Sequence, residues 1–145
     1  MARLEVSRVI AAPAARIWDD LSRLETHVEW MAEAADLTFL GEQRTGAGTR
    51  IAVVTKLGPF RLTDVMEFVA WEPPRRMAVR HTGLVTGSGE FLLDEAADGS
   101  TRFTWRERLR FPWYFGGPPG AVVGARILTV VWRGNLRRLA RRVTS

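Results

Sequence analysis

The run Phe115-Gly116-Gly117-Pro118-Pro119-Gly120, followed by AVVGARILTVVWRGNLRRLARRV from Ala121 to Val143, decides the fold of this chain. Ala121, Ala125, Leu128, Trp132, Leu136, Leu139 and Val143 recur at steps of three and four, so they share one stripe of a helix. Arg126, Arg133, Arg137 and Arg141 fall on the opposite side. About two dozen residues at helical rise reach roughly 35 Å, enough to cross a small domain. Almost everything before this helix reads as strand, and a long helix closing a mostly β chain needs a sheet to lie on. The Gly/Pro run reads as a hinge. Ala121 to Trp132, apolar on nearly all sides, is expected to wall whatever space lies between helix and sheet. From Arg133 onward the arginines are expected to take the outer face.

Outward from the helix, the strand Thr101 to Phe111 has the cleanest alternation. Phe103, Trp105, Glu107, Leu109 and Phe111 face one way, and Arg102, Thr104, Arg106, Arg108 and Arg110 the other, so one side is core and the other water. Asp98-Gly99 marks a hairpin turn before it. Further back, Leu84 to Asp94, Met77 to His81, Phe60 to Trp71, Thr49 to Leu57 and Leu37 to Leu40 read as strands. Gly58-Pro59 and Pro73-Pro74 punctuate them. At the start, Leu4 to Ile10 is a strand, and Pro13 opens a helix over Ala14 to Ser22. Glu25 to Met31 is a second short helix. The order is one strand, two short helices, six strands in hairpin-type succession and a long helix. That is α+β: a curved antiparallel sheet of about seven strands around the C-terminal helix, in a single domain spanning 1–145.

Composition narrows the function. The chain has 145 residues, no cysteine and a net charge of +5. It therefore has no disulfide framework, no thiolate metal site and no cysteine nucleophile, which suits a cytoplasmic location. Met1 to Glu5 lacks the apolar run of a signal peptide. The longest apolar stretch, Ile127 to Trp132, is too short to span a bilayer, so no stable membrane insertion is expected. Of the 21 basic residues 20 are arginine, which reads as a compositional bias rather than a binding site. No aromatic residue interleaves with the C-terminal arginines, so nucleic acid is not expected as a partner. No phosphate loop, zinc-protease motif or nucleophile elbow is present, and no metal or cofactor is expected.

The element order resembles the helix-grip fold of the SRPBCC superfamily, which includes START lipid-transfer domains and polyketide cyclases/dehydratases. The likeness is carried by the opening strand with Ala12-Pro13-Ala14-Ala15-Arg16-Ile17-Trp18-Asp19-Asp20-Leu21, by Trp30, by Val69 to Met77 with its double proline, and by Asp98 to Phe103. It implies an elongated apolar cavity between sheet and long helix, holding a lipid, polyketide or other hydrophobic ligand. It transfers no catalytic set, because the superfamily contains carriers as well as enzymes.

Polar residues on apolar strand faces are the candidates for chemistry, since a buried polar group needs a partner or a task. Glu107 lies between Trp105 and Leu109 on the inward face. It is either an acid/base whose pKa burial raises or a carboxylate paired to an arginine or to helix backbone. His81 shares the parity of Met77 and Val79, and is either a proton-transfer group in the cavity or a solvated strand end. Asp64 shares the parity of Phe60 to Ala70, unless a bulge turns it outward. Tyr114 either anchors a ligand hydroxyl or closes the cavity mouth. Trp105 and Trp132 are expected to face each other across the interior, in an aromatic wall suited to a flat ligand. Trp30, Val53, Met66, Phe68, Val79, Phe91, Leu109 and Leu128 complete the expected lining. Three functions remain open: a carrier of a small hydrophobic molecule, a cyclase/dehydratase-type enzyme using Glu107 with His81, and an interaction module. For the last, Val123, Ile127 and Val130 form a second apolar side on the helix, consistent with either a monomer or a homodimer.

Overall fold

Seven antiparallel strands form one sheet in the order β1-β7-β6-β5-β4-β3-β2 in the computed structural model, which describes residues 1–145. They are β1 (Ala2–Ile10), β2 (Ala34–Phe39), β3 (Arg50–Leu57), β4 (Phe60–Glu72), β5 (Arg76–Thr82), β6 (Thr86–Glu95) and β7 (Thr101–Arg110). Successive hairpins build β2 through β7, and β1 returns to pair with β7, Ala2 opposite Leu109 and Ile10 opposite Thr101. Between β1 and β2 lie α1 (Ala14–Leu21) and the one-turn α2 (His27–Trp30), the latter entered through a 3-10 turn at Leu24–Thr26. The long helix α3 (Gly117–Thr144) packs chiefly across β1. This is the helix-grip fold.

The alternation of β7 produces the division of faces. Thr101, Phe103, Trp105, Glu107 and Leu109 are buried, while Arg102, Arg106, Arg108 and Arg110 are exposed. The inward side chains of the sheet meet Ile17 and Leu21 of α1 and Leu128, Trp132, Leu136, Leu139 and Val143 of α3 in one core.

Three local features depart from the sequence reading. The Gly/Pro run is not a hinge outside the helix: α3 starts at Gly117, with Pro118 and Pro119 in its first turn, where proline gives up no intrahelical hydrogen bond. The bulge in β4 falls at Val69, between Phe68 and Ala70, and turns Val69 rather than Asp64 outward. The C-terminal arginines do not all take the outer face. Arg142 forks onto Asp20 of α1, with Nε and Nη2 donating to its carboxylate at 3.0 and 2.9 Å. This pairing holds the Asp20 carboxyl below the usual range, although burial opposes it. Arg138 donates to the Trp30 carbonyl at 3.0 Å and to Oδ1 of Asn135.

The first half of α3 is only lightly docked. Val122, Val123, Ile127 and Val130 are exposed, as are Trp113 and Tyr114 on the 3-10 turn before it. No helix is long and apolar enough to cross a membrane.

Candidate functional site

Between the concave face of the sheet and α3 lies a mostly apolar cavity of about 170 Å³. Strand parity aims Val53 from β3, Met66 and Phe68 from β4, Val79 from β5, Phe91 from β6 and Trp105 and Leu109 from β7 into its wall. Of α3, only Leu128 and Trp132 reach it, so the helix contributes less wall than its apolar first half suggests. Trp105 and Trp132 stack nearly parallel, with ring centroids 4.1 Å apart and an 8° interplanar angle.

Two groups expected in the lining lie elsewhere. Trp30 is fully buried, but behind the wall, among His27, Phe91 and Trp105; its indole N–H has no partner. Tyr114 is 56% exposed and packs edge-on against Trp113 and Phe115 on the surface. The 3-10 turn following Pro112 carries it past the end of β7, away from the concave face.

Into this apolar space three strands deliver a chain of charged groups. Nδ1 of His81 on β5 lies 3.0 and 3.2 Å from the two carboxylate oxygens of Asp64 on β4. Its Nε2 bonds Oε1 of Glu107 on β7, whose Oε2 accepts the Trp105 indole N–H at 2.9 Å. An ionised carboxylate only accepts, so both ring nitrogens of His81 carry protons. Burial alone would lower the histidine's pKa. The bonds and charges of Asp64 and Glu107 outweigh it and lift the pKa from 6.5 to about 10. The paired-carboxylate reading of Glu107 expected an arginine or helix backbone as partner, and the partner is His81.

The reach from β7 to β5 crosses β6, and glycine makes it possible. Gly89 pairs with Glu107 in the ladder. A Cβ placed on Gly89 would stand 2.7 Å from both Cγ and Oε1 of Glu107. Gly89 does not have a positive φ, so the contact alone opposes a side chain there. Gly89→Ala is therefore expected to displace the Glu107 carboxylate and to cost roughly 1–3 kcal/mol, as overpacking does. Urea unfolding checks this, and a neutral result would mean that Glu107 has another resting place.

A second polar cluster adjoins the first. Glu33, just before β2, accepts the Trp132 indole N–H at 2.7 Å and the Asn135 amide at 2.6 Å. Burial pushes its carboxyl above the usual range, with these two bonds opposing and the charge of Glu107 adding to the rise. Asn135 is fully buried and also accepts the Ala32 backbone N–H at 2.9 Å. His27, likewise buried on the wall, faces the Leu21 carbonyl through Nε2 at 2.8 Å, and burial holds its pKa below the ordinary value. None of these three is among the sequence candidates. Asn135 had a signal: it lies three residues after Trp132, beside Leu136 on the apolar stripe. His27 falls three residues before Trp30 in the short apolar helix. Glu33 stands in a connecting segment, where parity gives no orientation.

No curated protein matches the sequence. Among solved structures, TTHA0849 of Thermus thermophilus superposes with a TM-score of 0.82 at 20% identity, covering 97% of this chain and 96% of that one. The Zhui aromatase/cyclase of Streptomyces sp. R1128 gives 0.77 at 17% identity, with 97% and 92% covered. A START superfamily protein of Mycobacterium smegmatis gives 0.78 at 12%, with 99% and 97% covered. At these identities the likeness establishes the fold. The family model described as polyketide cyclase / dehydrase and lipid transport matches residues 1–144. A match over essentially the whole chain, on a helix-grip fold with an apolar cavity under its long helix, places this protein in the polyketide cyclase / dehydrase and lipid transport family.

Proposed function

We propose that this protein binds a small, ring-sized hydrophobic molecule in the cavity between the sheet and α3, and carries or sequesters it. The observation behind this reading is the void itself, about 170 Å³ walled mainly by apolar and aromatic side chains. A dry void of about 150 Å³ in another protein accepts a benzene ring. The charged chain in the wall favours binding over turnover. A histidine whose protonated form is held by two carboxylates, 3.0 Å away on the Asp64 side, gives up its proton reluctantly at neutral pH. His81 is better suited to holding two carboxylates in fixed positions.

Native mass spectrometry of freshly purified protein tests the reading, with identification of whatever denaturation releases. A bound mass in the range of a one- to three-ring compound is expected. Added ring compounds should also change tryptophan fluorescence, since Trp105 and Trp132 stand in the wall. An apo mass together with no fluorescence response would remove the reading.

A second reading, supported by the Asp64–His81–Glu107 chain and by the fold shared with an aromatase/cyclase, is a cyclase/dehydratase-type enzyme. In that reading Glu107, with His81, moves protons during ring closure or loss of water. Glu107→Gln then leaves ligand affinity near native and abolishes turnover; turnover that persists excludes the assignment.

A further inference from the structure

The polar groups of the cavity are unequally divided between donors and acceptors, and the imbalance specifies a ligand head group. Every indole and imidazole N–H at the wall is already committed. Both N–H groups of His81 go to Asp64 and Glu107, the Trp105 N–H to Glu107, the Trp132 N–H to Glu33, and Nε2 of His27 bonds the Leu21 carbonyl. No arginine or lysine lines the cavity, and the hydroxyl of Thr55 both donates and accepts. Acceptor capacity, by contrast, is left over. Each carboxylate oxygen can take two hydrogen bonds. Oε2 of Glu107 has one partner, and both oxygens of Asp64 share a single N–H. The side chain of Asp64 is the least covered of the trio, at 15% exposed against 5% for His81 and 8% for Glu107. Charge points the same way: two carboxylates surround one imidazolium.

We propose that the cavity selects a compact apolar molecule carrying a hydrogen-bond donor, a hydroxyl or an amine, which docks on the open lone pairs of Asp64 and Glu107. It excludes amphiphiles whose head is a carboxylate or phosphate. Such a head finds no cation and no free N–H, only the Thr55 hydroxyl, and meets like charge in a low-dielectric space, where an unpaired charge is costly. This inference rests on the ligand-binding reading above.

The test is calorimetric titration of the protein at pH 7 with four one-ring probes that differ only in the head: ethylbenzene, 4-ethylphenol, 4-ethylbenzylamine and 4-ethylbenzoate. The phenol and the amine are expected to bind on the order of tenfold to a hundredfold more tightly than the benzoate, the range set by a charge-assisted hydrogen bond. Their order relative to each other separates a preference for charge from a preference for a neutral donor. Asp64→Asn, which replaces an acceptor oxygen with an amide that can donate, should narrow the gap. Benzoate binding as tightly as the phenol and amine, or equal affinity for all four, overturns the head-group inference while leaving cavity binding intact. Failure of all four, ethylbenzene included, overturns the binding reading itself and the inference with it.

Discussion

His81→Leu is expected to destabilise the protein by roughly 3–5 kcal/mol at neutral pH, the usual cost of removing one member of a buried ion pair. The imidazolium is the only cation between Asp64 and Glu107. Without it two carboxylates face each other in an apolar cavity, and one must take up a proton or be hydrated. Leucine fills similar space, so lost packing contributes little. Because the folded-state pKa of His81 is raised from 6.5 to about 10, the folded protein holds this proton where the unfolded chain releases it. The stability it supplies is therefore complete below pH 6.5, declines as pH rises, and is gone once pH passes about 10. Urea unfolding of wild type and variant at pH 6, 8 and 10 should show a gap that shrinks at each step. A gap under about 1 kcal/mol at pH 6 would mean that the trio is not closed by charge. A triple variant with Asp64→Leu and Glu107→Met added should recover much of the loss, since replacing a whole buried ionic cluster by apolar side chains of similar size costs less than breaking it.

Asn135→Leu should be nearly as damaging, at roughly 3 kcal/mol. One amide ties α3 to the segment before β2: it donates to Glu33 and accepts from the Ala32 backbone and from Arg138. Leucine leaves the buried carboxyl of Glu33 with one donor fewer, at a cost of about 1–3 kcal/mol, and takes the acceptor from the part-buried Ala32 N–H and from Arg138. Glu33→Gln is expected to be milder, at roughly 1–2 kcal/mol. Burial already disfavours the charged form of Glu33, but both its oxygens accept an N–H and glutamine keeps only one acceptor, so either the Trp132 or the Asn135 N–H loses its partner. Thermal and urea unfolding of the two variants checks the ranking, and a Glu33→Gln variant less stable than Asn135→Leu would contradict it.

The architecture was legible because each element had its own period. The alternation of Phe103 to Leu109 and the stripe from Leu128 to Val143 both survive unchanged in the folded protein. Inward parity also placed Glu107, His81 and Asp64 on the concave face. What parity could not give was their meeting, because β5 and β7 are separated by β6, and bridging them depends on the absence of a side chain at Gly89. Gly87 and Gly89, two glycines on one parity of a strand, carried that signal. Tyr114 was misplaced for a related reason: beyond the last strand residue the period ends, and only the 3-10 turn sets its direction. Arg138 and Arg142 were read as solvated by their distance from the apolar stripe. A long guanidinium stem, however, reaches Trp30 and Asp20 from the flank of the helix.

The close fit of Gly89 and Glu107 makes these two positions a shared allotment of space. One side chain fills it, and either strand can supply that side chain. A chain carrying alanine at 89 would leave no room for a γ-carbon at 107, where alanine or serine would then stand. Among homologous sequences the sizes of the two residues should therefore vary inversely, and that trade would give up the acid and deepen the cavity floor beneath β6.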